Sequence, residues 1–196
     1  VILDANSFSA TSTITIDVPN SGCDLNMSGV TESVTIDENN SFTYGSLILN
    51  SNITDDDGFV VAGRRSSYIV NTGGAFLNNY DQFGGSYSLT GDLAVNSTQI
   101  YGCTFDANDY DIITPSFNIG RANAPSTVYL GDGTLTVGST VSGTDVFYAN
   151  RHYATVYAEN STLKIDPIES ETKRIYTQDG YPLTFNKIWY TNRETG

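Results

Sequence analysis

Gly91-Asp92-Leu93-Ala94-Val95-Asn96-Ser97-Thr98 returns 42 residues later as Gly133-Thr134-Leu135-Thr136-Val137-Gly138-Ser139-Thr140, and Gly45-Ser46-Leu47-Ile48-Leu49-Asn50-Ser51 anticipates it 46 residues earlier. In each copy a glycine precedes a short β-type run that Asn or Gly closes. A second echo joins Asp4-Ala5-Asn6-Ser7-Phe8 to Asp106-Ala107-Asn108-Asp109-Tyr110. Spacings of this size divide into two turns of roughly 20–23 residues, the period of a β-solenoid. In such a coil each turn adds one strand to each face, and strands stack about 4.8 Å apart. The expected fold is therefore all-β, a right-handed parallel β-solenoid (β-helix). A β-sandwich, single or in tandem, is the alternative; it accounts for short alternating strands but gives no reason for the repeat.

The rest of the chain reads the same way. Thr13-Ile14-Thr15-Ile16, Ser33-Val34-Thr35-Ile36 and Thr162-Leu163-Lys164-Ile165 alternate Ser, Thr or Lys with larger apolar residues, and Ser67-Tyr68-Ile69-Val70 and Thr127-Val128-Tyr129-Leu130 open the same way but carry Ile69 and Tyr129 at the second polar position. That alternation suits a strand with one face buried. Asp145 to Asn160 lacks Gly and Pro and is the one stretch to test as helix, yet Tyr153, Thr155 and Tyr157 alternate with Ala154, Val156 and Ala158, which favours a strand. Inward residues are expected to stack on their equivalents one turn away, with Asn at the corners, where left-handed backbone is tolerated.

Composition narrows the function. With 9 Lys+Arg against 22 Asp+Glu, the 196 residues carry a net charge of −13. Such a surface repels phosphate and disfavours nucleic acid and anionic bilayers. Apolar runs are as short as Phe59-Val60-Val61-Ala62, so membrane insertion by a helix is not expected. Charged residues are only 16% of the chain, so its polar surface is mostly neutral Asn, Ser, Thr and Gly. The chain starts at Val1 without Met and stops at Gly196 in polar sequence, and 1–196 is read as a single solenoid segment of a longer chain. Cys23 and Cys103 match no metal-ligand spacing; two thiols or a disulfide both remain open.

Candidate chemistry is sparse. His152 is the sole histidine and lies in no nucleophile motif, and no Gly-x-Ser-x-Gly elbow occurs. Paired carboxylates on one strand face can act as a glycosidase or lyase, and Asp106, Asp109 and Asp111 are the closest approach to this, with Asp109 and Asp111 expected to share a face. The simpler reading of these residues is turn-forming. Asp55-Asp56-Asp57-Gly58 offers oxygen ligands for Ca²⁺, with Asp55 and Asp57 as weak metal candidates, although the alternating EF-hand pattern is missing. Gly131-Asp132-Gly133 leads into a strand, which gives nucleotide binding no support. The sequons at Asn26, Asn39, Asn52, Asn96 and Asn160 are about as many as chance gives in a chain so rich in Asn, Ser and Thr. Exposed tyrosines and Trp189 suit stacking on sugar rings. The expected catalytic and cofactor-binding residues are none.

Gly22-Cys23-Asp24-Leu25-Asn26-Met27-Ser28-Gly29-Val30, Thr43-Tyr44-Gly45-Ser46-Leu47-Ile48-Leu49 and Tyr129-Leu130-Gly131-Asp132-Gly133-Thr134-Leu135-Thr136-Val137 resemble the repeats of long, low-complexity β-solenoid fibre and surface proteins of uncultured phages and environmental bacteria. The stretch from Ser161 to Trp189 continues the style, whereas Gly58 to Phe83 follows it less clearly. The resemblance implies a non-catalytic structural segment of a virion fibre or tail spike, a stiff shaft or receptor-facing surface at an extracellular or virion location. It implies a host or cell-surface glycan or protein receptor as partner, and a possible homo-oligomer in a fibre. A bacterial adhesin that binds glycans and a tailspike that depolymerises carbohydrate are the alternatives.

Overall fold

A computed structural model describes residues 1–16, 21–38, 43–55, 59–62, 68–77, 80–138, 145–150, 152–167, 173–177 and 183–191. Among these the chain is all-β and contains no helix. The N-terminal part holds β1 (Ser12–Ile16), β2 (Ser21–Asn26), β3 (Val34–Glu38), β4 (Thr43–Ile48), β5 (Ile53–Asp55) and β6 (Phe59–Ala62). There follow β7 (Tyr68–Asn71), β8 (Phe76–Leu77), β9 (Tyr80–Phe83), β10 (Ser86–Leu89), β11 (Leu93–Val95), β12 (Thr98–Tyr101), β13 (Thr104–Asp106) and β14 (Ile112–Ile113). The last are β15 (Phe117–Ile119), β16 (Ser126–Tyr129), β17 (Thr134–Val137), β18 (Asp145–Ala149), β19 (Ala154–Tyr157), β20 (Thr162–Ile165), β21 (Arg174–Thr177) and β22 (Lys187–Tyr190). Asp145 to Asn160 thus forms two strands, as its period of two requires.

Every pairing between these strands is parallel. The sandwich alternative called for antiparallel strands. From β7 to β21 the described strands visit three ladders in rotation. One runs β7-β10-β13-β16-β19, one β8-β11-β14-β17-β20-β22, and one β9-β12-β15-β18-β21. The first and third belong to one 13-stranded sheet, because β4 pairs with both β6 and β7; the second is a 6-stranded sheet. At the N-terminus β1, β3 and β5 make a further 3-stranded sheet.

Alternation along each strand sends one set of side chains inward, and parallel register stacks those sets into columns. Tyr68, Tyr87, Phe105, Val128 and Val156 are successive register partners and all are buried. So are Leu93, Ile112, Leu135 and Leu163 on the 6-stranded sheet. Aromatic rings settle face over face within the columns: Tyr68 on Tyr87 at 4.7 Å and Phe117 on Phe147 at 6.0 Å between centroids. Burial pushes the Tyr87 hydroxyl well above its ordinary pKa, with the neighbouring Tyr68 adding to the effect. Outward positions carry the polar set, as in Thr134 beside Thr162 and Thr136 beside Lys164. The column ends at β22, where Ile188 and Tyr190 pair with Leu163 and Ile165 but are 59% and 52% exposed, since no described strand follows them.

The step from one strand to its partner is less regular than the expected 20–23 residues. Down the Tyr68 column it is 19, 18, 23 and 28 residues. Strand register is kept, and the corners absorb the difference. The Leu93 to Leu135 echo is real stacking two partners apart, through Ile112. The Gly45 echo is not equivalent to it: Leu47 sits on the 13-stranded sheet between Leu25 and Val70, whereas Leu93 sits on the 6-stranded one. The similarity there is that of any glycine-led apolar strand. The Asp4 and Asp106 echo reflects shared turn chemistry, since the Asn6 amide donates to Asp4 Oδ1 at 3.0 Å and the Asn108 amide to Asp106 Oδ1 at 2.9 Å.

Asn does the same at other corners, where Ser28, Asn52, Gly73 and His152 amides donate to Asn26, Asn50, Asn71 and Asn150. The Asn side chains also reach the next turn of chain: Asn50 Nδ2 donates to the carbonyls of Ser28 and Val30, and Asn108 Nδ2 to that of Leu89. Asn108, Asp109 and Asn123 take left-handed backbone. Gly131, at φ +62°, is closed against the Asp109 carboxylate, which a methyl group would strike. Cys23 and Cys103 are not joined in a disulfide, and the second is buried, so of the two readings left open the disulfide is not the one formed.

Replacing Phe117 by Ala removes a fully buried ring stacked on Phe147, and is expected to cost about 3–5 kcal/mol in chemical denaturation. Ile113→Ala on the outer face, at a position 47% exposed, should change stability by no more than about 0.5 kcal/mol. Equal losses at the two positions would contradict the assignment of inner and outer faces.

Candidate functional site

Two of the acidic residues singled out by the sequence, Asp109 and Asp111, accept backbone amides 23 residues further on, as Asp92 and Asp24 do at similar spacing, whereas Asp106 accepts the Asn108 amide of its own turn. Asp92 Oδ1 accepts the Asp111 amide at 3.0 Å, and Asp111 Oδ1 accepts the Thr134 amide at 2.7 Å. Asp109 Oδ1 accepts the Asp132 amide at 2.8 Å, and Asp24 Oδ1 accepts the Ser46 amide at 2.8 Å. These separations, 19 to 23 residues, match the strand steps: the amides of Asp111 and Asp132 lie at corners, that of Thr134 at the start of β17, and that of Ser46 within β4 opposite the irregularity in its pairing with β2. Asp109 and Asp111 do not share a strand face. Asp109 sits in the turn at φ 67°, and β14 begins only at Ile112. A left-handed residue breaks the period of two on which that expectation rested.

The remaining candidates divide similarly. Asp55 is buried at the end of β5, opposite Ile36, while Asp56, Asp57 and Gly58 lie outside the described residues. Among the described residues no group of three or more His, Cys, Asp or Glu is placed to hold a metal ion. In Gly131-Asp132-Gly133 the central amide is already bonded to Asp109, so that N–H is not presented to a phosphate. Of the sequons, Asn26 and Asn52 use their side chains in corner hydrogen bonds, and Asn39 lies outside the described residues. Trp189 is 50% exposed, with Lys187 Nζ 5.0 Å and Lys164 Nζ 5.7 Å from its ring.

An ion pair links the neighbouring strands β18 and β21. Asp145 and Arg174 are register partners on β18 and β21, and the guanidinium binds the carboxylate through both Nε and Nη2, the latter at 2.8 Å. The hydrogen bond from Arg174 holds the Asp145 carboxyl below the usual carboxylate range, partly against the opposing effect of desolvation.

His152 lies in a feature that no motif announces. The corners joining the third ladder to the first are Gly84-Gly85 and Gly102-Cys103, then lengthen to residues 120–125 and 150–153. The short corners are pinned by left-handed glycines, with φ of 68°, 69° and 65° at Gly84, Gly85 and Gly102. Beside these corners lies a groove of about 360 Å³, lined in part by Gly85, Gly102, Cys103, Pro125, His152 and Tyr153. Along it run the outward hydroxyls of Thr104, Thr127 and Thr155, which are register partners on three successive strands. Ser126 Oγ, buried beneath, accepts the Gly102 amide at 2.9 Å and donates to the Ile100 carbonyl at 3.0 Å, which locks the short corner to the longer one. Two residues further along the same strands, Tyr129 and Tyr157 are exposed and stack at 4.8 Å with rings 5° from parallel.

No protein-family model, no curated protein and no solved structure matches this chain.

Two expectations follow from the charges. Chelator should leave the melting temperature unchanged; a drop that Asp55→Asn abolishes would establish a cation site at the Asp55 corner. For Asp145 the depressed folded pKa means that its contribution is complete above the unfolded carboxylate value of about 3.9 and is lost as pH falls through the lower folded value. The stability difference between wild type and Arg174→Gln should therefore be small at neutral pH, because the pair is solvent-screened, and should close only below about pH 4. A difference undiminished at pH 2 would show that the contribution is not ionic.

Proposed function

We propose that the chain is a right-handed parallel β-solenoid whose function is structural, a stiff shaft or receptor-facing surface of an extracellular or virion fibre. The observation that carries the reading is the rotation of strands among three ladders, each step moving to the next parallel partner. A chain that does this in one direction winds round an axis, and parallel crossovers of this kind are overwhelmingly right-handed. Backbone hydrogen bonds then run along the axis and resist extension, while the stacked core resists bending. The uncharged Thr and Asn faces resist nonspecific sticking. Homo-oligomerisation in a fibre and a glycan or protein receptor belong to the same proposal.

Carbohydrate cleavage is not part of it. An inverting or retaining pair needs two carboxylates facing one glycosidic bond. Asp92, Asp109 and Asp111 instead direct an oxygen at a backbone amide. Incubated with bacterial surface polysaccharides, the protein should release neither reducing ends nor unsaturated products, and prolonged digestion with a mixture of proteases should leave the span from β10 to β20 intact. Turnover that disappears in Asp109→Asn or Asp111→Asn would replace the shaft with a depolymerase, and rapid cleavage within that span would refute the shaft outright.

A further inference from the structure

We propose that the groove beside Tyr153 binds an uncharged saccharide. This rests on the receptor-facing half of the functional reading, and the shaft stands whether or not the groove is used. The volume, about 360 Å³, falls within the ordinary range of small-molecule sites, about 300–1,000 Å³.

The lining selects the ligand class. Among the described residues its lining holds no Lys, Arg, Asp or Glu, so those residues offer an ion neither a carboxylate nor a Lys or Arg cation. A polyanion is further opposed by the net charge of −13. What the groove does offer is a row of hydroxyls from Thr104, Thr127 and Thr155, each able both to donate and to accept. Parallel register sets them at the strand spacing of about 4.8 Å, a repeat that a chain of sugar hydroxyls can follow from one strand to the next. Tyr153 and Pro125 supply the apolar wall on which the C–H face of a pyranose packs. The same outward face continues to the stacked and exposed Tyr129 and Tyr157, which extends the surface for a longer oligosaccharide.

The short corner is tied to the longer one by hydrogen bonds of the protein's own, through Ser126. Such internal bonds limit the ordering cost that binding imposes on the protein.

The test is an amide NMR titration of the whole chain with maltohexaose, cellohexaose, chitohexaose and a mannohexaose, with oligogalacturonate as the anionic comparison. At least one neutral hexaose should shift the Gly102, Thr127 and Tyr153 amides, and oligogalacturonate should not. Tyr153→Ala should weaken that binding about tenfold, the scale of one lost ring contact with its buried area. Thr127→Val, which keeps the side-chain shape and removes one hydroxyl, should weaken it severalfold with an unchanged melt. Thr136→Val, on the outer face of the 6-stranded sheet, should do nothing. The proposal is overturned if no neutral hexaose shifts the groove amides, if the shifts map elsewhere, or if Thr127→Val binds as tightly as Thr136→Val. A protease-resistant chain that ignores all four sugars refutes the site and spares the shaft, whereas a readily digested chain refutes the shaft whatever it binds.

Discussion

Parallel pairing is the constraint on which everything else in this protein depends. Two parallel strands cannot be joined by a hairpin; the chain must travel back to the starting end through a connection of a dozen residues or more. Here the connections between β7 and β21 are themselves strands of the other ladders, so each ladder gains one strand for every three strands of chain. On the proposed solenoid reading, each such set of three strands is one circuit, and each strand obtains its hydrogen-bond partners from the sets before and after it. A corner therefore has two tasks: to turn the chain, and to satisfy the few N–H and C=O groups that fall outside a ladder.

The composition follows from those two tasks. Asn and Asp close the turns through their own side chains and also reach the neighbouring circuit, as Asn50 does towards Val30 and Asp111 towards Thr134. An acidic residue at such a position is a structural acceptor, which explains how so acidic a chain can concentrate carboxylates at corners without assembling a metal cluster among its described residues. Corner length is the free variable. Where corners lengthen from two residues to six and four, the outer surface gains relief, and the groove beside His152 and Tyr153 lies there.

How much of this was legible in advance can be judged residue by residue. The all-β class was readable because alternation such as Thr134 to Val137 has only one periodic interpretation, and the Leu93 and Leu135 echo revealed true stacking because two circuits separate them. The Leu47 echo misled, since a glycine-led aliphatic run carries no information about which ladder it joins. Asp109 was placed on a strand because left-handed backbone at a non-glycine residue leaves no periodic trace. The groove had no signature at all. It depends on a difference between corner lengths, which becomes visible only once the ladders are aligned, although the register partners Thr104, Thr127 and Thr155 were present in the sequence as ordinary strand residues.

The most direct test of circuit-by-circuit stacking is to excise one circuit, residues 93–111, so that Asp92 is followed by Ile112, the register partner of Leu93. If neighbouring circuits supply the stability, the shortened chain should remain soluble and β-rich by circular dichroism and should unfold cooperatively. Its denaturant m-value should fall by about a tenth, in proportion to the surface removed. Excision of residues 93–102, about half a circuit, would bring unlike strands into register and should abolish folding. An unfolded or aggregated product from the full-circuit deletion, or equal tolerance of both deletions, would contradict the stacking.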